Sequence, residues 1–125
     1  MDQPEINDSK ASLSGQTSSP LAKSIIKSLE DSKAGGIVII NLEQGAALAD
    51  AMVVASGRSN RHVAAIAEQL LENLRKRGMR NYSVEGLPNA DWVLVDAGDV
   101  IVHIFRPEMR EFYNLEKLWS PHAQK

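Results

Sequence analysis

Residues 91–119 read DWVLVDAGDVIVHIFRPEMREFYNLEKLW, and the reading of this stretch decides the fold. Residues 92–96 and 100–105 are runs of β-branched and aromatic side chains, separated only by Ala97-Gly98-Asp99. A connection that short joins neighbouring antiparallel strands, so the two runs form a hairpin. Pro107 suits the first position of a helix. Met109, Phe112, Leu115 and Leu118 or Trp119 then recur on one helical face, with Arg110, Glu111, Asn114 and Lys117 on the other. The same stretch holds five of the chain's six aromatic residues, the sixth being Tyr82.

The elements upstream extend this hairpin into a sheet. Residues 81–86, NYSVEG, read as a short strand closed by the turn Gly86-Leu87-Pro88-Asn89. Before it, Val63, Ile66, Ala67, Leu70 and Leu74 form one apolar helical stripe. Ser59 or Asn60 caps that helix, and Gly78 stops it after the basic turn Arg75-Lys76-Arg77. Residues 50–56 read as a core strand, and residues 43–48 as a loop. Residues 36–42, GIVIINL, are a β-branched run expected to be buried on both faces. Ser19-Pro20 opens a first helix carrying Leu21, Ala22, Ile25, Ile26 and Leu29, which Gly35-Gly36 is expected to end. Residues 1–18 are polar and aperiodic, as in a disordered tail, and residues 121–125 are expected to fray. The order α-β-β-α-β-β-β-α predicts an α/β protein over residues 19–120, with a single mixed sheet of about five strands flanked by helices.

Composition narrows the function. The 125 residues, 43% hydrophobic and 24% charged, suit one globular domain. With no cysteine, disulfides, thiolate metal sites and thiol nucleophiles are excluded. No apolar run approaches the ~20 residues that span a bilayer, and no secretory or transit pattern opens the chain, so a cytoplasmic location and no membrane partner are expected. The net charge of −2 argues against broad wrapping of nucleic acid. The charge is uneven, however: residues 58–80 carry six bases and two acids, and residues 81–125 four bases and seven acids. The acidic, aromatic C-terminal part suits a basic protein partner.

Candidate chemistry is sparse. The turn Ser56-Gly57-Arg58-Ser59 precedes a helix N-terminus, where amide groups and Arg58 and Arg61 would favour an anion. The alternative is a capped turn, since no full phosphate-loop pattern is present. Asp50, Glu85, Asp96 and Asp99 lack the paired spacing that holds a catalytic Mg²⁺. His62, His103 and His122 lack metal-ligand spacing, and His103, mid-strand, reads as a hydrogen-bonded structural histidine. No catalytic residue, metal or cofactor is therefore expected. Trp92 and Tyr113 sit beside polar neighbours, and such rings combine apolar area with a polar handle at interfaces.

The run from Trp92 through Asp96, Ala97, Gly98, Asp99 and His103 to Phe105 closely resembles the ribosomal silencing factors, the Iojap-like family. Arg110, the Phe112-Tyr113-x-Leu115-Glu116-x-Leu118-Trp119 run, Glu85-Gly86 and the stretch from Asp50 through Ser59 and Arg61 to Val63 carry the same likeness. The resemblance implies a nucleotidyltransferase-like fold without enzyme activity, often dimeric. It implies binding to the large ribosomal subunit through ribosomal protein L-fourteen, which blocks joining of the small subunit and represses translation. The implied contact residues are Trp92 and Tyr113, with Asp91, Leu115 and Glu116 beside them. Arg58, Ser59 and Arg61 are candidates for a minor contact to ribosomal RNA. Where family members often have Asp-Tyr or Asp-Leu before the Gly-Asp turn, this chain has Asp96-Ala97, which alters the turn surface. The competing reading is a small nucleotidyltransferase-like enzyme using the Ser56-Gly57 turn with Asp50 or Asp96.

Overall fold

A computed structural model describes residues 19–42 and 49–109. The first helix, α1 (Pro20–Asp31), is capped by Ser19, whose hydroxyl accepts the Ala22 N–H at 3.1 Å. Its stop differs from the glycine pair expected. Lys33 takes the left-handed position, at φ 64°, and the Ala34 N–H reaches back to the Leu29 carbonyl at 2.9 Å. A lysine there costs on the order of 1 kcal/mol, which the satisfied helix-end carbonyls offset. Gly35 is already in strand β1 (Gly35–Asn41), where the ladder slips between Gly35 and Val38 and Gly36 adopts φ 53°.

Strand β2 (Ala51–Ser56) leads into α2 (Asn60–Lys76). Ser59 caps α2 by accepting the His62 N–H, and Gly78 follows its end at φ 88° while the Met79 N–H closes on the Leu74 carbonyl at 3.0 Å. Then come β3 (Ser83–Glu85), β4 (Trp92–Asp96) and β5 (Val100–Phe105). The five strands form one mixed sheet in the order β1-β2-β5-β4-β3, parallel only between β2 and β5. This is the mixed five-stranded sheet that the sequence predicts. The expected closing helix begins at residues 107–109, and the rest of it lies outside the described residues, as do the N-terminal tail and the final residues.

Strand alternation divides the sheet into two faces. Ala51, Val53 and Ala55 of β2, Val93 and Val95 of β4, and Val100, Val102 and Ile104 of β5 point to one face and pack with Ile25, Ile26 and Leu29 of α1 and Ile66, Leu70 and Leu74 of α2. Fully burying each such large side chain contributes roughly 1.5–3 kcal/mol. The two helices are also tied to each other. Asn73 donates to the Ser28 hydroxyl at 2.8 Å, and His62 Nε2 meets the Ser32 carbonyl at 2.9 Å. Strand β2 is buried on both faces, as a central parallel strand should be. Strand β1, an edge, buries only Ile39 and Ile40, fewer than its β-branched run suggests.

Candidate partner-binding face

The opposite face carries the chain's described aromatic cluster. Val38, Ile40, Met52, Val54, Trp92, Phe105 and Met109 form a second apolar group there. The hairpin builds its centre. The Ala97 N–H closes on the Val100 carbonyl at 2.9 Å, and Asp96 Oδ1 accepts the Gly98 N–H at 2.9 Å. That closure pairs Trp92 with Phe105 and Leu94 with His103, so Trp92 and His103 are diagonal neighbours on one face, within reach of long side chains.

Three rings result. Trp92 stacks on Phe105 with centroids 5.1 Å apart and planes 25° apart, and His103 lies 5.9 Å from both. The Trp92 indole N–H donates to His103 Nδ1 at 3.0 Å. The imidazole is therefore neutral, with its proton on Nε2. His103 is 6% exposed and Phe105 fully buried, whereas Trp92 is half-buried. Burial pushes the His103 pKa down to about 4 from the ordinary 6.5, since an imidazolium would leave water for an apolar sheet face.

The chain around Trp92 is anchored at its backbone. Asn60, at the start of α2, donates to the Asn89 carbonyl at 2.7 Å and to Asp91 Oδ1 at 2.8 Å. Arg106 forms an ion pair with the same Asp91 oxygen at 3.3 Å, and its own N–H donates to the Asp91 carbonyl at 3.2 Å. Gly86 closes the other side: a Cβ built there would lie 2.1 Å from the Trp92 carbonyl oxygen. The structure thus gives Asp91, a candidate contact from sequence, a positional role. One carboxylate oxygen ties β4 to α2 and to the segment after β5.

Arg58, Ser59 and Arg61 are exposed, and Asn60 brings their loop beside Asp91. The Ser59 hydroxyl is engaged in capping, and the Arg58 N–H donates to His62 Nδ1 at 2.9 Å. The guanidinium groups are what this turn offers an anion. Gly57 has a packing role: its N–H donates to the Phe105 carbonyl at 2.9 Å, and a Cβ would meet Val63 at 2.9 Å. Among the described residues, no three His, Asp or Glu side chains converge as metal ligands. Tyr113, Leu115 and Glu116 lie outside the described residues.

Sequence reasoning missed the Trp92–His103 bond, the Asn60 tie and the close approach at Gly86. The first was within reach, because a hairpin closed at Ala97 and Val100 places residues 92 and 103 on one face by alternation alone. The other two join segments whose meeting depends on the tertiary fold.

Comparison with known proteins gives a consistent result. A family model described as ribosomal silencing factor during starvation matches residues 15–125. The ribosomal silencing factor RsfS of Zymomonas mobilis is 50% identical over 100 residues, spanning 80% of this chain and 75% of that protein. A crystal structure of a Chromobacterium violaceum protein superposes with a TM-score of 0.76 at 39% identity, covering 79% of this chain and 82% of that one. A mouse protein named for mitochondrial assembly of the ribosomal large subunit is 33% identical over 99 residues, 77% of this chain and 43% of its own length.

Proposed function

The chain belongs to the ribosomal silencing factor family, and from that premise we propose that it represses translation by docking on the large ribosomal subunit and excluding the small one. Family membership carries the ribosome-associated silencing role, and the mouse relative's name supports the large subunit as the target. The finer reading is ours: the contact is ribosomal protein L-fourteen, and repression follows from occupancy, because a ligand seated on a joining face competes by mass action with the other subunit. The family is not a known enzyme family. At the Ser56-Gly57 turn that the enzyme reading would use, packing against Val63 already accounts for Gly57.

One observation carries the docking site. Trp92 is partly exposed at the edge of an apolar cluster on the sheet face opposite α1 and α2, and its indole is hydrogen-bonded to His103. A rigid aromatic anchor with a partly exposed face suits a protein contact. Trp92 and, from the family resemblance, Tyr113 would form its core, with Leu115 and Glu116 beside them and Asp91 holding the strand. Arg58 and Arg61 are exposed at the same end of α2 and would add a minor contact to ribosomal RNA phosphates. Among the described residues, no helix is long and apolar enough to cross a membrane. A cytoplasmic location and a homodimer remain part of the proposal.

The test is sedimentation with separated ribosomal subunits. The wild-type chain should move with the large subunit and prevent its joining to the small one. Trp92→Glu should abolish both effects while keeping native circular dichroism. Undiminished binding by a folded Trp92→Glu variant would remove the site, and normal subunit joining at saturating wild-type chain would remove the mechanism.

A further inference from the structure

We propose that His103 is a positioning residue for docking: by accepting the indole N–H on Nδ1, it holds Trp92, before the partner arrives, in the orientation the partner meets. The inference rests on Trp92 being a contact residue, as proposed above. His103 itself is 6% exposed and offers a partner little area. An apolar side chain would fill its place between Val54 of β2 and Leu94 of β4 without leaving a titratable ring out of water. Among the described residues, the hydrogen bond its side chain makes goes to Trp92. The imidazole is thus kept at a cost, and the orientation of Trp92 is what it secures.

The geometry explains why stacking alone is insufficient. Phe105 lies nearly parallel to the indole, 5.1 Å away, and an offset stack tolerates sliding and a flip of the ring within its plane. The 3.0 Å bond to Nδ1 selects one flip state, because only one edge of the indole carries an N–H donor. At its backbone, Trp92 is confined by Gly86 on one side and by its pairing with Phe105 on the other. The bond to His103 acts on the flip of the ring, a freedom that the backbone pairing does not set. A partly exposed aromatic with its rotamer already set loses less freedom on binding.

The test uses the full chain and isolated large ribosomal subunits. His103→Leu removes the acceptor. His103→Asn keeps an acceptor near the Nδ1 position, whereas His103→Gln moves it outward by one methylene. We expect His103→Leu and His103→Gln to bind large subunits roughly fivefold to tenfold more weakly, and His103→Asn to recover most of the loss. The Trp92 indole ¹H–¹⁵N resonance, assigned by its disappearance in Trp92→Phe, should shift in the Leu and Gln variants and stay near its native position in Asn. In a Trp92→Phe background, which has no N–H to hold, His103→Gln should cost nothing further. Should His103→Leu fail to fold, the Asn and Gln pair decides. Wild-type binding retained by folded His103→Gln would overturn the positioning role while leaving the docking site standing, as would equal losses in the two backgrounds. Failure of the wild-type chain to bind large subunits would overturn the docking reading and this inference together.

Discussion

Gly86→Ala should unseat the strand that carries Trp92, and its cost separates into two parts. The backbone at Gly86 has φ 92°, a region that costs an L-residue about 1–2 kcal/mol. In addition, a Cβ there would lie 2.1 Å from the Trp92 carbonyl oxygen and 3.3 Å from the Val93 Cα. Both neighbours are backbone atoms, so no side-chain rotation relieves the overlap, and the chain must shift. Overpacking of that kind costs about 1–3 kcal/mol, giving a total of about 2–5 kcal/mol against the 5–15 kcal/mol that holds a typical domain together. Gly78→Ala is the matched control. Its φ is 88°, and a Cβ there would meet nothing within 4 Å, so it should lose only the conformational part. Urea denaturation followed by circular dichroism measures both, and the Trp92 indole resonance reports whether the ring moves. Equal losses in the two variants, within about 0.5 kcal/mol, would refute the claim that backbone contact at Gly86 fixes β4.

Other consequences follow from single contacts. Ser59→Ala removes the hydroxyl that accepts the His62 N–H at the start of α2. It should cost about 1 kcal/mol in urea denaturation, and Ser59→Asp should largely restore it. Asn73→Ala leaves the Ser28 hydroxyl, only 2% exposed, without its donor from α2. The expected loss is about 1–3 kcal/mol, visible as a lowered urea midpoint with unchanged slope. For His103 the folded pKa of about 4 lies below the ordinary 6.5, so the unfolded chain takes up its proton first. Its contribution is intact above pH 6.5 and falls as pH drops toward 4, by about 3 kcal/mol across that window. Between pH 7 and 4, wild type should therefore lose stability toward acid relative to His103→Asn by about that amount, and parallel curves would contradict the burial argument.

Much of the fold was legible because the deciding signals are local. The Ala97-Gly98-Asp99 connection fixes the β4–β5 register without help from elsewhere. The α2 stripe, from Val63 to Leu74, is long enough that its face and both ends can be read from spacing and caps. The stop of α1 was misread for a physical reason. Glycine is the cheapest residue at positive φ, but a lysine can occupy that position when the following residue closes a bond to the helix, as Ala34 does with Leu29. The glycines beyond it serve the irregular start of β1 instead. The geometry of the candidate site was legible in part. Trp92 stood out by residue type and polar neighbours, but the service of Asp91 as an anchor depends on Asn60, which α2 delivers from 31 residues away.

The same division of the sheet bears on how a chain of this size could support the proposed partner face. Both described helices pack on one side, where the small and β-branched residues of β2, β4 and β5 meet the α1 and α2 stripes. The other side holds the larger, more polarisable side chains: Met52, Trp92, His103 and Phe105. Because each strand alternates, a change on the partner side need not disturb the helix side. Replacing Trp92 alters a residue between Asp91 and Val93, and only Val93 belongs to the helix-side core. If Trp92 is a contact residue as proposed, binding and folding are separable there, where the side chain is partly exposed. They are coupled at Phe105, whose fully buried ring both stacks on Trp92 and fills the apolar cluster. A side chain on a strand is also held more firmly than one on a loop: the pairing with Phe105 sets the backbone of Trp92, and its indole N–H donates to His103.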